Sequence, residues 1–109
     1  MKRVIGVCAL AVSATAYAAM PNFDVKQHCS EVASFGGNPS EVIRQACYQQ
    51  EQEAYNELKP NWDRLPATTR GHCDEVASFG GPGSYMILNA CVQQESAARS
   101  SNDNFTFQK

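Results

Sequence analysis

Apolar positions recur along the chain at helical spacing. Val25, Cys29, Val32 and Gly36 fall on one face, flanked by Ala33 and Phe35, and the spacing predicts an amphipathic helix. Gly36-Gly37 then ends the pattern, as glycine does where a helix terminates in the left-handed region. Asn38-Pro39-Ser40-Glu41 restarts it: Asn38 reads as an N-cap, Pro39 as the first helical residue and Glu41 as the acid that reaches back to the cap. Ile43, Ala46, Cys47, Gln50, Ala54 and Leu58 mark one face of the second predicted helix, from Pro39 to about Lys59. The unit is a helix, a Gly-rich turn and a second helix.

That unit occurs twice. Residues 28–51, HCSEVASFGGNPSEVIRQACYQQE, return 44 positions later as residues 72–95, HCDEVASFGGPGSYMILNACVQQE, with sixteen of twenty-four positions identical. In the second copy Pro66 opens a helix with Cys73, Val76, Ala77 and Gly80 on its inner face. The turn is Gly80 to Gly83, and Ser84 caps a fourth helix reaching about Ser100. Asn22 or Asp24 is placed to cap the first helix. Between the copies, Trp62 and Leu65 are apolar residues in a connector, which predicts that they fold back as a plug between hairpins.

The expected fold class is all-α: two tandem disulfide-stapled helical hairpins forming a small four-helix array with pseudo-twofold symmetry. Phe35, Ile43, Phe79, Ile87 and Trp62 are the expected packing residues. The helical domain spans 19–100, with repeats over about 24–59 and 66–99, and residues 101–109 form a loose tail.

The cysteines support this. Cys29 and Cys47 lie equidistant from the first turn, and Cys73 and Cys91 from the second. Residues equidistant from the turn of an antiparallel hairpin sit side by side. One disulfide per hairpin is the simplest of three connectivities, each worth about 3 kcal/mol in the chain-entropy model.

The leader sets the compartment. Residues 1–18 combine a basic start (Lys2, Arg3), an apolar stretch from Val4 to Val12 and the small-residue pattern Ala16-Tyr17-Ala18, which together read as a secretory signal peptide. Its apolar stretch is too short to span a bilayer. Cleavage after Ala18 removes Cys8 and leaves four cysteines, an even number suited to an oxidising compartment: periplasmic or secreted. Without Lys2 and Arg3 the chain carries seven basic against eleven acidic residues, a net charge of −4. Nucleic acid and anionic lipid are therefore not expected partners, and no stable membrane anchor remains. A core this small needs its staples.

One span carries a resemblance. Trp62-x-x-Leu65-Pro66-x-x-x-Arg70-x-x-Cys73, followed by Gly80-Gly81, Ser84-Tyr85, Leu88, Cys91 and Glu95, resembles a pattern of small exported proteins of proteobacteria. The likeness covers the second half and, by repetition, the first, where Asn38-Pro39-Ser40-Glu41 departs from the Gly-Ser-Tyr turn. It implies secretion and helical hairpins, and it brings no activity and no catalytic residue.

Candidate chemistry is sparse. His28 and His72 each precede a cysteine and are the candidate metal ligands, together with the four cysteines. Zinc sites usually present ligands two to four residues apart, whereas the paired cysteines here enclose seventeen residues. No cofactor is expected. There is no C-x-x-C for redox work. Repeated Ser34/Ser78 and Glu31/Glu75 offer no nucleophile–base–orienter set, so no enzyme activity is expected. Glu31/Glu75 and Glu51/Glu95 read either as an acid–base pair on one face or as solvated surface, while Gln50 and Gln94 lie on the cysteine side, placed to bond the turn of a neighbouring hairpin. The expected function is a non-enzymatic binding or interaction scaffold for a protein or envelope component, with Tyr48, Tyr55 or Tyr85 as contact candidates. The alternatives are a periplasmic metal-binding protein and a structural or stress-tolerance protein.

Overall fold

The computed structural model describes residues 19–109, and the expected signal peptide lies outside the described residues. Asp24 caps the first helix, its carboxylate accepting from Gln27 N at 3.1 Å. Helix α1 (Val25–Ala33) leads through the first turn to α2 (Glu41–Leu58). A 3-10 helix (Lys59–Arg64) connects to α3 (Ala67–Ser78), and the second turn leads to α4 (Tyr85–Asp103). The described residues are all helix and connection. Each hairpin is stapled as expected: Cys29 pairs with Cys47 and Cys73 with Cys91, both with Cα atoms 5.5 Å apart.

The N-cap of α2 is corrected by two residues. Ser40, not Asn38, accepts from Ile43 N at 3.2 Å, and Pro39 stays in the turn. The second copy matches this, with Ser84 Oγ accepting from Ile87 N at 3.3 Å. Both turns close with the cap amide donating to the alanine ending the inner face: Ser40 N to Ala33 O at 3.0 Å and Ser84 N to Ala77 O at 3.2 Å. The routes differ between those points. Gly36 and Gly37 take positive φ in the first turn, Gly80 and Gly83 in the second. α4 continues to Asp103, so the loose tail is shorter than expected.

The core lies between the hairpins. Leu58, Trp62, Cys73, Tyr85, Leu88 and Val92 form its centre, with Trp62 of the connector acting as the expected plug. The expected packing by Phe35, Ile43, Phe79 and Ile87 is overturned. Phe35 and Phe79 are 94% and 91% exposed, and Ile43 and Ile87 are each 46% exposed. Both phenylalanines lie just past the last helical residues of their first helices, so they project at the hairpin tip. Smaller residues, Ala33 and Ala77, occupy the inner face and let the two helices approach.

The packing of the copies also departs from the expected twofold. Glu51 contacts Ser84, and these residues correspond to Glu95 and Ser40 of the other copy. A twofold axis would pair Glu95 with Ser40 in return. Instead the Ser40 hydroxyl accepts from Ile43 within its own helix, and Glu95 meets His72 within its own hairpin. Glu51 lies beside Ser84–Met86 and Glu57 beside Asn89, so α2 and α4 run in the same direction. The copies stack by translation with stagger, as units of a helical solenoid do.

Candidate functional site

A buried carboxylate joins the copies. Glu51 is 1% exposed. Its Oε2 accepts from Met86 N at 2.8 Å and from Ser84 Oγ at 3.2 Å, and its Oε1 accepts from Tyr85 N at 3.2 Å. Tyr85 and Met86 are the first two residues of α4, whose amides have no intrahelical acceptor. Ser84 Oγ takes the third amide, Ile87 N. The negative charge sits where the dipole of α4 favours it. From the α1 side, His28 Nε2 lies 3.5 Å from Glu51 Oε1. The expectation that Glu51 is solvated is corrected, as is the role given to Gln50. Gln50 is exposed, and the residue after it bonds the neighbouring turn. The repeated Gln-Gln-Glu and the Ser84-Tyr85 helix start were the available signals; they join only once the stagger of the copies is known.

Aromatic contacts surround this joint. Tyr85 Oη donates to Pro21 O at 2.7 Å and accepts from Phe23 N at 3.0 Å. Its ring lies 4.8 Å from that of Phe23 and edge-on to Tyr55 at 5.0 Å, a geometry aromatic pairs favour. Gly83 is obligatory here, because its φ is +93° and a Cβ would drive into the Phe23 ring. Tyr85 is therefore a core residue and not a contact candidate; Tyr48 and Tyr55 are half-buried beside it.

The second copy holds the same pair without the cap. His72 Nε2 lies 3.5 Å from Glu95 Oε1, with side chains 55% and 44% exposed. Glu95 opens onto a groove with Pro66, Thr69, Ala98, Arg99 and Asn102.

Neither histidine joins a metal set. Among the described residues no group of three or more His, Cys, Asp or Glu side chains is placed to hold a metal ion, and all four cysteines of the hairpins are consumed in disulfides.

The hairpin tips are the other notable surface. His72, Glu75, Val76 and Phe79 line one shallow groove along α3. His28, Glu31, Val32 and Phe35 occupy the same spacing along α1 and just past its end. Among the described residues no helix is long and apolar enough to cross a membrane. No protein-family model matches the chain, and neither does any curated protein or solved structure.

Proposed function

We propose that the protein is a non-enzymatic binding scaffold of an oxidising, extracytoplasmic compartment, with two equivalent apolar tips that engage a protein or envelope component. The observation that carries this reading is the duplicated exposure of Phe35 and Phe79, each beside a partly exposed valine, Val32 and Val76. An aromatic ring left in water contributes nothing to the fold, and exposed apolar groups of this kind mark interaction surfaces. The disulfides and rigid hairpins hold the tips in fixed geometry, which lowers the ordering cost of binding. Two equal tips on one frame allow bivalent engagement. The acidic balance of the chain favours an apolar or basic partner over nucleic acid.

The test is site-specific photocrosslinking from positions 35 and 79 in cells exporting the protein, alongside a Phe35→Ser/Phe79→Ser variant carrying its crosslinker at Val76. The expected result is a discrete adduct that the double variant loses while its melting temperature stays within about 2 °C of the parent, as for surface changes. An adduct indifferent to both substitutions, or no adduct from either tip, would falsify the reading.

A further inference from the structure

The joint between the copies is heterologous, so it leaves its two halves unused at opposite ends of the chain. Glu51 supplies the acceptor half and the start of α4 the donor half. The equivalent acceptor in the second copy, Glu95, is half-exposed over its groove. The equivalent donor half in the first copy is the start of α2. Ser40 bonds Ile43 N there, and no described residue accepts from Glu41 N or Val42 N. Val42 is 77% exposed.

We infer that the protein associates head to tail with a second copy of itself, the Glu95 groove of one chain receiving the Ser40–Val42 helix start of the next. The inference is independent of the tips, which remain free: Phe79 is exposed although the adjacent α4 start is already capped by Glu51.

Side-chain chemistry around the two open halves supports this occupant. At the internal joint Tyr55 packs against Tyr85. The corresponding residues at the open ends are Arg99 and Glu41. An aromatic pair is replaced by an oppositely charged one, which suits a contact exposed to solvent until it forms. Leu58 and Leu88 of the shared core correspond to Asn102 and Arg44. Arg44 Nη1 donates to Glu41 Oε1 at 2.7 Å and its side chain is 28% exposed, so the guanidinium keeps further N–H donors for which the Asn102 carboxamide oxygen is an acceptor of the right kind. The intermolecular joint is thus a polar counterpart of the internal one, weaker because it lacks the apolar centre. A heterologous contact closes into a ring or continues as a filament.

Sedimentation and light scattering of the purified, oxidised protein test this, from micromolar concentration up to about 1 mM, where contacts of a few kcal/mol become populated. Mass is expected to rise with concentration. Glu95→Ala removes the acceptor. Glu41→Pro removes an amide and a charge at a first helical position, where proline is favoured, after a Ser40 already in extended backbone. Each is expected to weaken association about ten-fold or more, as for loss of a hydrogen bond to a charged group. Mixed together, the two variants retain one intact pair of ends and are expected to stop at a heterodimer. Glu41→Arg and Arg99→Glu should each weaken association and, combined in one chain, restore it. This exchange keeps every backbone amide of both helix starts, although Glu41→Arg gives up the ion pair with Arg44, and it decides the matter should Glu41→Pro fail to fold. A monomer at every concentration overturns the inference, and so does association indifferent to Glu95→Ala and the charge exchange.

Discussion

Glu51 and Glu95 end the same repeated sequence, and each stands 3.5 Å from the histidine of its own hairpin. One is buried with three hydrogen-bond donors from the other hairpin, and the other is half open to water. The same local sequence therefore yields a structural strut where a second hairpin packs against it and a surface acceptor where none does. The staple, turn and helix pair are properties of a single repeat. The buried carboxylate is a property of the stack.

The largest effects should come from the features the repeats share. Replacing Cys73 and Cys91 together by alanine is expected to cost about 3 kcal/mol or more, and replacing Cys29 and Cys47 about 3 kcal/mol. The first loss should exceed the second, because Cys73 belongs to the core between hairpins whereas Cys29 and Cys47 lie outside that cluster. Urea unfolding of the two variants, read by circular dichroism, measures the difference. Equal midpoints would place the stability in each hairpin separately and contradict a core that belongs to both.

The next effect separates the two glutamates directly. Glu51→Ala leaves two backbone amides and a buried hydroxyl without their acceptor and is expected to cost about 3 kcal/mol. Glu95→Ala should change stability by less than about 0.5 kcal/mol, as at other exposed sites. The measurement is chemical denaturation in dilute solution, where contacts between copies do not contribute. A Glu51→Ala variant as stable as Glu95→Ala would mean that water can replace the carboxylate at the joint.

Much of this architecture was legible in the chain. The repeat and the symmetric placement of its cysteines point to the hairpins and to one disulfide in each as the simplest pairing, because these depend on local spacing alone. The phenylalanines mislead because helical periodicity continues through Phe35 and Phe79, although the helices end at Ala33 and Ser78. Past a helix end, spacing no longer says which way a side chain points. The partner of Glu51 was hidden for a different reason. It lies 33 to 35 residues away in sequence, and only the staggered translation of the copies brings it near. Periodicity assigns each residue to a face of its own helix; it does not say which neighbour that face meets. Gly83 obeys the same logic, since its requirement comes from Phe23, a residue before the first repeat.

The smallest effect sharpens the comparison at the two helix starts. Ser40 and Ser84 occupy equivalent positions and cap equivalent helices, accepting from Ile43 N and Ile87 N. An N-cap serine replaced by alanine costs about 1 kcal/mol, and this is the expected loss for Ser40→Ala. Ser84 also donates to Glu51 Oε2 at 3.2 Å and is itself buried. Its loss removes a cap and one of the three donors to a buried carboxylate, so Ser84→Ala is expected to cost about 2 kcal/mol. The excess should vanish in a Glu51→Ala background, where only the capping bond remains to be lost. A double-mutant cycle between positions 51 and 84 therefore isolates the term the stack adds to the repeat. A coupling near zero would assign Ser84 to its own helix alone and leave the two backbone amides as the whole reason Glu51 is buried.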